Sequence, residues 1–107
     1  MNSQGYNIVE LNNIFNQLKS KSPQVQDATT KSLAVFINKN RENTDEIISK
    51  ISHFFNLNND IADRVMIKVI NNVLKVLTEN NAQIINFLNM IFPLLFHNVL
   101  YANRNIE

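Results

Sequence analysis

Apolar residues recur along this chain at intervals of three and four, the spacing of one helix face, and polar breaks divide the pattern into five segments. From Tyr6 to Ser20, the residues Ile8, Leu11, Ile14, Phe15 and Leu18 form one apolar face. Ser22 before Pro23 reads as an N-cap followed by Pro at the first helical position. The second helix then runs to Asn40, with Val25, Ala28, Ser32, Val35 and Phe36 expected inward. Beyond a polar loop at Asn40 to Asn43, Thr44 is placed to cap a third helix. Asp45 and Glu46 fall in its first turn, where the macrodipole favours negative charge. Ile47, Ile48, Ile51, Phe54 and Phe55 supply its face. Asn56 to Asn59 make the next break, with Asn58 or Asn59 as the following cap.

The fourth helix is expected from Asp60 to Glu79, where Ile61, Val65, Ile67, Val69, Ile70, Val73, Leu74, Val76 and Leu77 are apolar over more than one face. Such a helix is central, touched by neighbours on several sides. The fifth spans Ala82 to Arg104, with a kink expected near Pro93, which lacks a backbone donor. Short polar connections between amphipathic helices predict an all-α fold, an antiparallel or right-handed helical array. With 107 residues, the chain has room for one domain, residues 1–107.

Composition agrees with that reading. The chain is 45% hydrophobic with seven Phe, enough apolar material for a core of its own. One Gly and two Pro are too few for a turn-dense all-β fold. Asn makes up about a fifth of the chain, scattered rather than in a tract, and reads as codon bias. The net charge of +1 excludes wholesale attraction to nucleic acid or an anionic membrane, so electrostatic recognition must come from local patterning. Without Cys there is no disulfide, thiolate metal site or Cys nucleophile. Met1 to Gly5 carry no basic and apolar leader pattern. Asn86, Asn89, Pro93, His97 and Asn98 interrupt the most apolar window, Ile84 to Leu100, which suits a core helix better than a membrane span.

The residue types of an active site do not assemble. His53 and His97 have no acidic partner at ligand spacing, so both read as surface or half-buried imidazoles. One Gly cannot build a phosphate loop, and Asp45 with Glu46 is explained by the helix start. The expectation is a non-enzymatic domain with no metal, cofactor or small-molecule substrate. One stripe on the fourth helix is different. Arg64, Lys68, Asn71 or Asn72, and Lys75 follow at spacings of three or four and share a helix face. Cations pair with phosphate, and a carboxamide both donates to and accepts from a peptide backbone. The plainer reading of the stripe is a solvated helix face.

Three stretches carry a family resemblance. The first is Ala34-Val35-Phe36-Ile37-Asn38-Lys39-Asn40-Arg41 followed by Glu46-Ile47-Ile48; the second is Lys68-Val69-Ile70-Asn71-Asn72-Val73-Leu74; the third is Ile91-Phe92-Pro93-Leu94-Leu95-Phe96-His97-Asn98-Val99. Together they resemble the CTD-interacting domain, the helical module that reads the phosphorylated C-terminal heptad repeats of RNA polymerase II. The likeness spans residues 8–100, and the spacings between the stretches match without a gap. It implies a right-handed superhelix of the kind shared with VHS and ENTH modules. It also implies nuclear work in transcription termination or pre-mRNA 3′-end processing, with no membrane partner. The family's peptide lies between the second, fourth and seventh helices. Asn71 takes the family's Asn position, Asn72 its Asp position and Lys68 its Tyr position, while Lys31 on the second helix is expected to face the groove. Lys75 and Arg64 extend the same stripe.

Asn72 keeps an acceptor but loses the charge, which weakens that contact, and Lys68 replaces an aromatic with a cation. The family continues beyond the fifth helix, and its seventh carries a phosphate-binding Arg. A chain shortened at that point exposes apolar surface on its fourth and fifth helices, which favours self-association. A second reading is a VHS- or ENTH-type trafficking adaptor for sorting signals or lipid headgroups. A basic amphipathic first helix would support it, but Tyr6 to Ser20 holds one cation, Lys19. A third is a helical scaffold without a peptide groove.

Overall fold

The computed structural model describes residues 5–58 and 60–106, and among them every regular element is helical. Five α-helices follow in order: α1 (Ile8–Leu18), α2 (Pro23–Lys39), α3 (Thr44–Leu57), α4 (Asp63–Val76) and α5 (Asn81–Ile106). A single 3-10 turn, Arg41–Asn43, joins α2 to α3. The fold class expected from the sequence is therefore observed, an all-α helical array. Helix α2 packs between α1 and α4, and α3 lies against α5.

Asparagine punctuates the helices. Asn7 Oδ1 accepts the Glu10 N–H at 3.1 Å and caps the start of α1. Asn80 Oδ1 does the same for the Gln83 N–H at 3.0 Å, at the entrance to α5. At the other ends, the Asn40 and Asn58 amides each donate at 2.8 Å to the carbonyl four residues back, on Phe36 and Phe54. Neither helix end adopts a left-handed residue, with Asn40 at φ −128° and Asn58 at φ −125°, and these side chains supply donors to the last-turn carbonyls instead. The scattered asparagines thus have structural work that codon bias does not describe. Ser22 caps α2 through the Val25 N–H, with Pro23 behind it, as the sequence predicts.

Two expected caps are displaced. Thr44 is the first residue of α3, and its hydroxyl donates back to the Arg41 carbonyl at 2.6 Å. Helix α4 starts at Asp63, three residues later than expected, with Ala62 at its N-cap and no side-chain cap bond. Asn58 belongs to the end of α3, and Asn59 lies outside the described residues.

The core joins all five helices. Phe36, Phe55 and Phe87 are fully buried, and Phe15 of α1 stacks on Phe54 of α3 with ring centroids 4.7 Å apart. The predicted faces of α1 and α3 are the buried ones, with Ile8 half-buried at the edge. The face of α2 is rotated from its expected position. Thr29, Thr30, Leu33, Phe36 and Ile37 are buried, whereas Val25, Ala28, Ser32 and Val35 are exposed. The two threonines tolerate burial because their hydroxyls donate to carbonyls of the preceding turn, Thr29 to Val25 at 2.6 Å and Thr30 to Asp27 at 2.8 Å. With the polar atom satisfied inside the helix, each threonine presents its methyl group to the core.

Helix α4 buries Val65, Met66, Val69, Ile70 and Val73, but Ile67 is 48% exposed, so one side is open. Helix α5 buries Phe87 and Ile91 and leaves Ile85 and Phe92 exposed. Pro93 stands within one continuous helix and deprives the Asn89 carbonyl of its intrahelical donor. His53 is exposed; from Phe96 onward, His97 included, α5 is described as helix without its side chains. Among the described residues no helix is long and apolar enough to cross a membrane.

Candidate peptide-binding groove

The stripe on α4 does not simply face solvent; it borders α2. Because α2 turns Thr29 and Thr30 inward, its neighbouring positions Asp27, Lys31 and Asn38 stand along the seam with α4. Two adjoining open pockets follow that seam, of about 290 and 350 Å³. The first is lined by Asp27, Thr30, Lys31, Lys68, Asn71, Asn72 and Lys75. Lys31, Asn72 and Lys75 also line the second, which continues past Asn38 toward Arg41. Five of the six expected site residues, Lys31, Lys68, Asn71, Asn72 and Lys75, are therefore brought together in one groove.

Arg64 is the sixth and does not line it. Its guanidinium is drawn to α2, donating from Nη2 to Gln26 Oε1 at 2.7 Å and from Nη1 to Asp27 Oδ1 at 3.3 Å. Lys68 is also engaged, with Nζ 2.6 Å from the same Asp27 oxygen. These groups are roughly half exposed, so the pairs add little to stability and act mainly to fix position. The hydrogen bond from Lys68, followed by the charges of Lys68 and Arg64, holds the Asp27 carboxyl below the ordinary carboxylate range. It is an anion at any physiological pH.

The amide of Asn72 is oriented by chemistry. Thr30 has one hydroxyl hydrogen, and it is given to the Asp27 carbonyl. Toward Asn72 the hydroxyl can only accept, so Nδ2 is the atom that meets it, at 3.1 Å. The Asn72 carbonyl oxygen is left as an acceptor on the groove side. Lys31 and Lys75 have no carboxylate partner among the described residues, and Arg41 uses Nε on Asn38 Oδ1 at 3.0 Å while its two terminal nitrogens remain available. The groove thus holds one acceptor of fixed direction, a second carboxamide in Asn71, and cations on both of its walls.

Sequence reasoning missed Asp27, Gln26 and Thr30, and did not place Arg41 in the site. Asp27 is the lone acidic residue of α2, four before Lys31, and that is the only signal it gives. Comparison with known protein families, with characterised proteins and with solved structures finds no match.

Proposed function

We propose that this domain binds an extended, phosphorylated peptide in the groove between α2 and α4. The observation that carries the reading is the placement of Lys31 and Lys75 on opposite walls, without carboxylate partners, beside the Asn71 and Asn72 carboxamides. Cations on two facing helices suit a phosphate between them, and the carboxamides suit a peptide backbone passing alongside. The resemblance to the CTD-interacting domain supplies the peptide's identity. Its groove lies between a second, a fourth and a seventh helix, of which this chain supplies the first two, with the positions of Asn71 and Asn72 in contact. On this reading the ligand is the phosphorylated heptad repeat of RNA polymerase II, and the protein acts in the nucleus in transcription termination or pre-mRNA 3′-end processing. An open groove buries little area, so affinity for one repeat is expected to be weak, on the order of tens of micromolar or weaker.

The test is a titration of labelled heptad peptides, unphosphorylated or phosphorylated at the second or fifth serine, against the wild-type domain and its Asn71→Ala and Lys75→Glu variants. Saturable binding that both variants weaken is the expected result. No binding at millimolar protein, or equal binding by the variants, overturns the proposal.

A further inference from the structure

We infer that the groove holds one anion site, formed by Lys31, Lys75 and Arg41, and that Asp27 is an internal anion closing the other end to phosphate. The inference rests on the peptide reading above and adds where along the groove the phosphate sits. The ligand class is a phosphate monoester on a peptide side chain.

The two ends of the groove differ in charge, although each has cations. At the Asp27 end, Lys68 and Arg64 converge on one carboxylate oxygen, at 2.6 and 3.3 Å. A dianion arriving there meets a carboxylate of its own sign and must displace it from both cations. Toward Arg41 the lining contains three cations and no acid. Glu42 follows Arg41 in the 3-10 turn but does not line this space, and Glu10, which shares a neighbouring pocket with Lys31, pairs with Lys39 at 3.3 Å. Lys31 reaches from α2, Lys75 from α4 and Arg41 from the 3-10 turn, so three separate elements place donors around one space. Arg41 offers its terminal nitrogens because its Nε is already fixed by Asn38. A planar fork held in this way suits a tetrahedral oxyanion better than a free lysine does. Asn72 stands at the junction of the two pockets, where its carbonyl oxygen accepts from a peptide N–H or hydroxyl next to the phosphorylated residue.

Arg64 and Lys68, two of the cations of the stripe expected from the sequence, are therefore those least available to a ligand. Asp27 reads as a specificity residue: it sets the register of the peptide by leaving one end of the groove for uncharged positions.

The experiment follows amide chemical shifts in the whole chain as a short capped Gly-phosphoserine-Gly peptide is added. The wild-type protein, a Lys31→Gln/Lys75→Gln double variant and Asp27→Asn are compared, each first checked for helical content by circular dichroism. Expected shifts centre on Lys31, Lys75 and Arg41 and spare Arg64 and Lys68. The double variant is expected to bind at least about tenfold more weakly. Asp27→Asn, nearly the same size and at a half-exposed position, is expected to bind about tenfold more tightly and to bring in shifts at Arg64 and Lys68. Shifts centred on Arg64 and Lys68 in the wild type, an unaffected double variant, or an Asp27→Asn variant that gains nothing overturns the inference. The outcome separates from that of the peptide reading. If the probe binds as described and a phosphorylated heptad binds no better than the probe, the anion site stands and the heptad assignment falls. If heptads bind equally with and without phosphate, the groove stands and the anion site falls.

Discussion

Asn72 of α4 donates its amide to the Thr30 hydroxyl of α2 at 3.1 Å, across the floor of the groove, and Thr30 passes its own hydrogen to the Asp27 carbonyl at 2.8 Å. This short relay joins the two walls and fixes the direction in which Asn72 presents its acceptor. Thr30→Val keeps the shape and removes the hydroxyl. The half-buried Asn72 amide then loses its partner, and the variant is expected to be less stable by about 1 kcal/mol. Urea unfolding measures that cost through the midpoint at unchanged slope. Peptide affinity should fall as well, because the Asn72 acceptor is no longer held toward the groove.

How far the fold was legible depends on which helix is considered. In α1 and α3 the aromatic and aliphatic residues lie at three- and four-residue spacing with polar residues between them, and the expected faces are the buried ones. In α2 the same rule placed Phe36 correctly but chose the wrong neighbours for it. Hydropathy scores Val25 and Val35 as inward and Thr29 and Thr30 as outward, whereas the threonines neutralise their own hydroxyls within the helix and the valines are left 40% and 56% exposed. The stripe on α4 was legible as a stripe because its members are neighbours in sequence. The resemblance set it beside the second helix with Lys31 facing it, but the Asp27 contacts were not legible, since Asp27 stands 37 and 41 residues from the side chains it binds and nothing local announces the meeting.

The rotated face of α2 is open to a direct comparison. Leu33 is fully buried, and Leu33→Ala should cost about 2–5 kcal/mol, the range for a truncated core aliphatic. Val35→Ser, at a position hydropathy alone would place inside, should change stability by no more than about 0.5 kcal/mol. Equal costs for the two would mean that α2 packs on the face its hydropathy suggests. Thermal or urea unfolding of both variants decides it.

Phe15 and Phe54 tie α1 to α3 through rings stacked 4.7 Å apart at 8°. Phe54 also meets Phe55 edge-on at 5.3 Å. A double-mutant cycle with leucine at both positions is expected to give a coupling of about 0.5–1.5 kcal/mol, the range for an aromatic pair beyond its burial. Phe54→Leu should be the costlier single change, because it loses two ring contacts where Phe15→Leu loses one. A coupling near zero would show that the rings contribute burial alone.

Tyr6 gives the fold a dependence on alkaline pH. Its ring is 3% exposed and packs edge-on against Phe36 at 6.0 Å, while its hydroxyl is buried without a hydrogen bond of standard geometry. Burial first, then the negative charge of Glu46 and the hydroxyl's hydrogen-bonding interaction with that carboxylate, raise the phenol above its ordinary 10.0. A raised value means that the folded state holds the proton more tightly than the unfolded chain does. The stabilisation is complete below the unfolded value and is lost as pH rises from there through the folded one. Tyr6→Phe keeps the ring contact and removes both the hydroxyl and its titration. At neutral pH the variant should stay within about 1 kcal/mol of the wild type, because the hydroxyl removed has no partner of standard geometry beyond its interaction with Glu46. Above about pH 10 the wild type should lose stability relative to the variant. Lysines titrate in the same range in both proteins, so the difference between their urea midpoints isolates Tyr6. If the two curves fall in parallel from neutral to alkaline pH, the phenol is not held in its protonated form by the fold.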